Sequence, residues 1–378
     1  MKYRKFGKLG IDISAFGVGC MRFPMVDDGN GHRVVDQNIA NEIVHTAIEN
    51  GVNYFDTAYV YSDRQNEKTL GIALSGGWRE KVYIATKLPT WECHSKEDMY
   101  RFYEEQRVNL QTDHIDFYLV HALDRGKWRQ MKELGIREFL DDLKSDGRIS
   151  YACFSFHDNY EAFEEILNDY DWDMCQIQYN YMDIYNQATT KGVKLAGSKN
   201  IPIVIMEGLQ GGRLANVPST VQAVFDSYPE KRTPAEWAFR WLCNHEEIGT
   251  VLSGVTNLEQ TFQNLETFNK TDVGIMSEEE LAIVDKAREE YMKRVKIGCT
   301  GCRYCMPCPM DVDIPGIFST WNEAFKFNDN ISGNWRFKRI TSDGHGADKC
   351  VACGACMEKC PQGLQIPDML QVAACELG

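Results

Sequence analysis

Eight short apolar runs, separated by segments of helical pattern, constrain this chain more than any other feature. The runs are "AFGVGCM", "VNYFDTA", "KVYIATKL", "IDFYLVHAL", "ISYACFSF", "DMCQIQYNYM", "IPIVIMEGL" and "IGTVLSGV". Between them lie stretches such as "NIANEIVHTAIENG" and "EDMYRFYEEQRVNLQT", whose apolar residues recur at helical spacing. Strand alternating with helix implies a parallel sheet, and eight such units in roughly 280 residues match the usual size of a (β/α)8 barrel. A doubly wound sheet is the alternative, but no G-x-G-x-x-G follows the first run. The expected fold is therefore α/β, a (β/α)8 barrel.

Polar residues inside the runs point the same way. Asp56, Lys87, His121, Ser155, Gln176, Glu207 and Ser253 stand at or near the carboxyl ends of their runs. In a parallel barrel those ends open on one face, where barrel enzymes place their active sites. One such residue is ordinary packing; seven in register are not.

After "SEEELAIVDKAREEYMKRVKIG" the pattern changes, so the expected organisation is a barrel over 1–295 and a mostly helical second domain over 296–378. The second domain repeats itself: "CPMDVDIP" from Cys308 matches "CPQGLQIP" from Cys360 at an offset of 52, and Cys299 matches Cys350 at 51. Of the 14 cysteines, eight sit in two clusters, Cys299, Cys302, Cys305 and Cys308, then Cys350, Cys353, Cys356 and Cys360. A disulfide scaffold would spread them through a small secreted domain, and the amino terminus has no apolar leader. Clustering reads instead as metal ligation in a reducing, cytoplasmic compartment. No run is long enough to span a membrane, and a formal charge of −14 with no basic tract disfavours nucleic acid and anionic membranes as partners.

C-x2-C-x2-C-x3-C-P is the bacterial ferredoxin run, in which three close cysteines hold one [4Fe–4S] cluster and the fourth reaches the other. The first copy is one residue shorter between Cys305 and Cys308. Crossed ligation predicts Cys299, Cys302, Cys305 and Cys360 on one cluster, and Cys350, Cys353, Cys356 and Cys308 on the other. Tetrahedral zinc is the rival. The helical insert between the copies resembles the α-helical ferredoxin modules attached to many oxidoreductases.

"YFDTAYVYSDRQNE", "IATKL" and "DFYLVHAL" resemble the three catalytic segments of the aldo-keto reductases, and the likeness runs from "YRKFGKLGIDISAFGVGCMR" to "SGVTNLEQTFQNL". The ferredoxin-bearing branch of that family matches the whole chain. The resemblance implies an NAD(P)H-binding barrel with a tetrad of Asp56, Tyr61, Lys87 and His121. The residue types suit carbonyl reduction: Tyr61 as proton donor, Lys87 favouring its phenolate, Asp56 holding the lysine charged, and His121 donating to the substrate oxygen. It also implies that Ser155 and Gln176 hold the nicotinamide carboxamide, although Phe156 replaces the usual asparagine. Met206 takes the place of the stacking aromatic. The loop Gly208, Leu209, Gly211, Gly212 and Leu214 covers the pyrophosphate, and Ser253, Gly254, Thr256, Gln260 and Asn264 grip the adenosine end. Gln260 replaces the arginine that clamps a 2′-phosphate, which makes use of NADH plausible, with Arg213 or Lys199 as substitute cations.

The expected function is a cytoplasmic NAD(P)H-dependent oxidoreductase that interconverts a small-molecule carbonyl and alcohol and bears two [4Fe–4S] clusters. The clusters are structural, exchange electrons with a partner such as a ferredoxin, or feed the substrate directly; no flavin signature is found. The alternatives are an electron-transfer module whose barrel only binds a ligand, and a zinc-stabilised reductase. Phe23, Tyr59, Trp91 and Trp128 are candidates for an apolar substrate wall.

Overall fold

The computed structural model describes residues 1–378. Eight parallel strands close into one barrel: β1 (Phe16–Gly19), β2 (Tyr54–Asp56), β3 (Tyr83–Leu88), β4 (Ile115–Leu123), β5 (Ile149–Phe156), β6 (Met174–Gln178), β7 (Ile203–Met206) and β8 (Ile248–Ser253). The barrel closes in sequence order, with β8 paired to β1 at Val251 and Phe16. Each strand coincides with one of the eight apolar runs.

Helices α1 (Gln37–Glu49), α2 (Asn66–Ala73), α3 (Lys96–Leu110), α4 (Arg125–Glu133), α5 (Ile136–Ser145), α6 (Tyr160–Asn168) and α7 (Thr189–Ser198) connect the first seven strands. Their starts follow capping chemistry. Asp36 accepts from the N–H groups of Asn38 and Ile39 at α1, and Ser95 with Asp98 forms a capping box at α3. Two helices, α8 (Ser219–Asp226) and α9 (Pro234–Cys243), lie between β7 and β8, and α10 (Leu258–Asn269) follows β8.

The barrel interior is filled by Tyr54, Ala85, Phe117, Leu119, Cys153, Met174 and Val204. An amino-terminal hairpin, Tyr3–Lys5 paired with Asp12–Ser14, adds Phe6 and Ile13 to that core. Phe6 meets Phe117 edge-on at 5.6 Å, near the strands' amino-terminal ends. Gly249 permits this, since a Cβ there would stand 2.4 Å from the Phe6 ring. With one end plugged, only the carboxyl-terminal face is left for a site.

The chain packs as two compact units, Met1–Gly211 with Ala235–Ser277, and Gly212–Pro234 with Glu278–Gly378. Packing groups the chain differently from the expected split at 295, with a division at Ser277 and segment 212–234 set apart from the barrel. Segment 212–234, with α8, goes with the cysteine-bearing unit, as does α11 (Glu278–Met292). Within that unit α8 packs on α11, and Arg213, 16% exposed at its side chain, donates to Glu323 at 2.7 Å and Asp329 at 3.1 Å.

The same unit contains α12 (Ile314–Phe327), α13 (Asn330–Ser342), α14 (Ala355–Glu358) and α15 (Ile366–Leu377). The sequence repeat is a structural repeat. α12 and α15 begin at Ile314 and Ile366, each with proline next in the first turn, and Asp311 and Gly363 ahead of them are both left-handed at φ 60° and 63°. Gly301 and Ala352, then Arg303 and Gly354, are left-handed in matching positions between the cysteines. α12 and α15 pack together around Ile314, Ile317, Phe318, Trp321, Ile366 and Leu370. No helix is long and apolar enough to cross a membrane.

Candidate active site and cysteine cavities

Asp56 ends β2, Lys87 lies near the end of β3 and His121 near the end of β4. Parallel pairing brings these ends side by side, with Asp56 opposite Ala85 and Lys87 opposite Leu119. The Lys87 ammonium, 1% exposed, donates to Asp56 Oδ1 at 2.6 Å, to the Thr57 carbonyl at 2.7 Å and to the Tyr61 hydroxyl at 3.3 Å. Burial opposes that ammonium, but Asp56 and Tyr61 outweigh it and hold Lys87 above the ordinary lysine range.

Tyr61 leaves the barrel on a tight turn, its N–H donating to the Ala58 carbonyl at 3.1 Å. Ser62, Asp63 and Arg64 then all adopt left-handed backbone, φ 49°, 53° and 66°. Three non-glycine residues in that region cost about 1–2 kcal/mol each, so their surroundings must hold them. Arg64 donates to both Glu92 oxygens at 2.9 Å and to the Tyr59 hydroxyl at 3.3 Å, while that hydroxyl donates to Glu105 at 2.7 Å. The expectation that Lys87 lowers the Tyr61 pKa is half right: Lys87 does favour phenolate, but burial raises the pKa by more, and the net shift is upward. Tyr61 is thus a neutral phenol at pH 7, the form that can give a proton.

His121 is aimed by an irregularity in β4. Its register with β5 shifts between Val120 and Leu123, and Ala122 takes φ 52°. The Ala122 N–H donates to Ser155 Oγ at 2.8 Å, and Thr90 Oγ1 donates to the His121 carbonyl at 3.0 Å. The imidazole stands edge-on to Tyr61, ring centroids 6.2 Å apart. Burial, then Lys87, His157 and Lys127, push its pKa well below the usual 6.5, so it is neutral near pH 7. Its Nδ1 is buried without a partner, an unused polar atom in a site that otherwise satisfies its groups.

Ser155 and Gln176 are paired across β5 and β6 and lie beside the tetrad. Both side chains are engaged: Ser155 Oγ by Ala122, and the Gln176 amide by Asp56 Oδ2 at 2.7 Å. Ser253 and Asn264 are bonded to each other at 3.0 Å. Gln260 folds back on Thr256, accepting from its N–H at 2.9 Å and its hydroxyl at 3.1 Å. The turn after β7 is left-handed at Glu207, Gln210 and Gly211, and Asp183 Oδ2 fixes it by accepting from Gln178 and Gln210, both at 2.8 Å. Gly208 is a packing glycine, since a Cβ there would meet Leu242 at 2.9 Å. Gly212 and Leu214 belong to the second unit, where Leu214 is fully buried.

Neither substitute cation is free for a 2′-phosphate. Arg213 is held by its two carboxylates. Lys199 precedes β7, at the opposite end of the barrel from the tetrad. A cation that stands on the open face is Arg22, just past β1. Its side chain lies across Gly254, where a Cβ would come within 2.9 Å of it, and its guanidinium donates to the Gly211 carbonyl at 3.4 Å. Sequence spacing alone does not single out Arg22, because its neighbours come from turns more than 180 residues away.

In the second unit, one small cavity of about 20 Å³ is lined by Cys299, Cys302, Cys305 and Cys360 with Ile314, Pro315 and Phe318. Another of about 20 Å³ is lined by Cys308, Cys350, Cys353 and Cys356 with Val312, Ile314 and Leu370. Three thiols in each come from one copy of the repeat and the fourth from the other. Nowhere do three or more histidine, cysteine or carboxylate side chains come close enough to share a single ion. Of the other six cysteines, Cys20, Cys93, Cys153, Cys175 and Cys243 are buried, with thiols raised by burial and so kept protonated, and Cys375 is exposed.

The sequence profile of the aldo/keto reductase family matches residues 16–289. The chain belongs to the aldo/keto reductase family. A second profile, the 4Fe-4S dicluster domain, matches residues 298–364. The uncharacterized oxidoreductase YqkF of Bacillus subtilis (strain 168) is 26% identical over 325 residues, spanning 78% of this chain and 97% of its own. Glyoxal reductase of the same organism is 31% identical over 165 residues, 42% of this chain and 51% of its own. Among solved structures, the holo form of aldo-keto reductase AKR11C1 from Bacillus halodurans superposes with a TM-score of 0.64 at 23% identity, over 76% of this chain and 96% of that one.

This aldo/keto reductase is accordingly an oxidoreductase-type enzyme, with a barrel of the family fold and a dicluster domain of the 4Fe–4S class. Of the aromatic residues considered for a substrate wall, only Trp91 qualifies by position: it is 43% exposed and its ring lies 5.1 Å from His121. Trp128 is fully buried, its Nε1 donating to Asp169, and Phe23 and Tyr59 are buried as well.

Proposed function

We propose that this aldo/keto reductase interconverts an aldehyde or ketone and its alcohol with NAD(P)H, and that it holds two [4Fe–4S] clusters. The observation behind the catalytic reading is the single ammonium, Lys87, that contacts both Asp56 and the Tyr61 hydroxyl with a neutral His121 edge-on to that tyrosine. Bound NAD(P)H supplies the hydride. The protein's part is the oxygen of the carbonyl. Tyr61, held neutral, gives its proton there, and the Lys87 charge stabilises the phenolate left behind. Asp56 keeps that charge in place. His121, edge-on to Tyr61, offers an N–H to the same oxygen. Trp91 forms an apolar wall beside the histidine.

Arg22, across Gly254 and beside the Gly211 carbonyl, fits the pyrophosphate of the cofactor, and Gly254 fits the close approach such a group needs. The match to a glyoxal reductase favours a small carbonyl substrate. For the clusters, the two four-cysteine cavities support Cys299, Cys302, Cys305 and Cys360 as one ligand set and Cys308, Cys350, Cys353 and Cys356 as the other.

The test is anaerobic assay of NADH and NADPH oxidation against a panel of small aldehydes and ketones, with Tyr61→Phe alongside. That variant should lose about 10²–10⁴-fold in turnover, the usual worth of a general acid, while still binding nicotinamide by fluorescence titration. Near-normal turnover would reject Tyr61 as the donor.

A further inference from the structure

α13 reads "NISGNWRFKRITS": three cations and no carboxylate, in a chain of formal charge −14. One side of it is core, with Gly333 and Phe337 buried against α12 and α15. The other side leaves Ile331 88% and Trp335 61% exposed, four residues apart and so stacked on one face. Arg336, Lys338 and Arg339 are exposed around them. Only Arg339 meets a carboxylate, Asp343 at 3.8 Å, and its guanidinium lies 5.7 Å from the Trp335 ring. Isolated exposed apolar residues are ordinary. An exposed tryptophan and isoleucine beside three cations, two of them without a carboxylate partner, have instead the composition of an interface, where tryptophan and arginine supply most of the binding energy.

The position of α13 indicates the kind of partner. At its end, the His345 N–H donates to the Ile340 carbonyl and the His345 carbonyl accepts from Asp313 N–H, both at 3.0 Å. This ties α13 to the segment after Cys308, which lines the second cavity, and to the segment that leads into Cys350. The rim of that cavity is exposed and apolar too, Met310 at 40% and Val351 at 61%, with Cys353 exposed beside them. A basic face joined to the rim of a thiol-lined cavity suits a partner that is acidic and has business with the cavity's contents. We propose that the exposed face of α13 is the docking surface for a small acidic iron–sulfur carrier protein of the ferredoxin class. The proposal rests on reading the cavities as cluster sites.

The experiment uses the full chain, purified anaerobically with its metal, and an acidic bacterial-type two-[4Fe–4S] ferredoxin as probe. Iron and acid-labile sulfide are measured on the same samples. Calorimetric titration should show binding that weakens at least tenfold between 50 and 250 mM salt, as steering and pairing by surface charge require. The triple variant R336E/K338E/R339E should weaken it at least tenfold at low salt, and Trp335→Ala likewise, while a reversal at the exposed Lys68 leaves it unchanged. Nicotinamide binding should be the same in all of them, which shows that the barrel is intact. Binding indifferent to the α13 variants, or absent in protein that contains its iron, overturns the docking surface and leaves the cluster reading standing. Protein purified without iron overturns both. If sedimentation shows a dimer that the triple variant dissolves, and no ferredoxin binds, the occupant is a second copy of this chain and the proposal fails.

Discussion

Replacing Asp56 by asparagine keeps its volume and removes its charge, leaving the Lys87 ammonium buried among neutral oxygens, the Thr57 carbonyl and the Tyr61 hydroxyl included, with no counter-charge. Stranding one member of a buried ion pair costs about 3–5 kcal/mol. Lys87→Met strands the carboxylate instead, with Gln176 its one remaining side-chain donor, at a similar cost. The double variant strands neither charge. Neutral replacement of a whole buried pair is close to neutral, so the two losses should fail to add by at least ~3 kcal/mol, where independent sites agree within about 0.5 kcal/mol. Urea unfolding at pH 7 followed by tryptophan emission reads this, because Trp128, Trp172 and Trp237 are fully buried in the first unit. If the double variant is as unstable as the sum of the single ones, Asp56 and Lys87 do not hold each other, and the electrostatic account of Tyr61 goes with them.

His121 makes stability fall in acid. Its native pKa is depressed, so below about pH 6.5 the unfolded chain takes up a proton that the native one refuses, and stability drops by about 1.4 kcal/mol per pH unit. His121→Gln should lose that share of the slope between pH 6.5 and 5, and an unchanged slope would contradict a buried neutral imidazole. With Gln260 turned onto Thr256 and Arg213 held by carboxylates, NADH should bind within about tenfold of NADPH, roughly 1.4 kcal/mol. Arg22→Ala should weaken both nicotinamides alike, by tenfold or more in fluorescence titrations, whereas a loss confined to NADPH would place Arg22 at the 2′-phosphate. Cys360→Ala should cost the iron of the cavity that Cys299, Cys302 and Cys305 line, and halve the iron and sulfide content. Loss confined to the site of Cys350, Cys353 and Cys356 would mean that the ligands do not cross.

What could be read from the sequence is what local chemistry and short spacings specify. Each apolar run is a strand, and the polar residues at their ends share one face because a closed parallel barrel has no other place to put them. The five-residue step from Asp56 to Tyr61 fixes a turn, and the two cysteine runs and their following prolines fix two equivalent loops. The rest depends on long-range packing. Nothing near Arg22 in sequence reveals that Gly211 and Gly254 stand against it. The left-handed Ala122 that aims His121 is an alanine, a residue with no preference for that backbone, and it is held there from Ser155. Gln176 has the expected residue type, but its amide is taken by Asp56, which only the pairing of distant strands arranges. The net rise in the Tyr61 pKa has the same origin: the sequence names the neighbouring cation but not the depth of burial that outweighs it.

Arg213 bears on how this protein can be made. Its two carboxylates lie 110 and 116 residues further along the chain. During synthesis the ribosome releases the segment carrying Arg213 long before Glu323 and Asp329 exist, so a guanidinium that ends up nearly enclosed must wait, hydrated, for the last part of the polypeptide. A gene cut after the barrel repeats would yield a chain in which that wait never ends. The cysteine-bearing tail is for this reason a finishing piece of the fold, and its late arrival completes a connection that begins directly after the seventh strand.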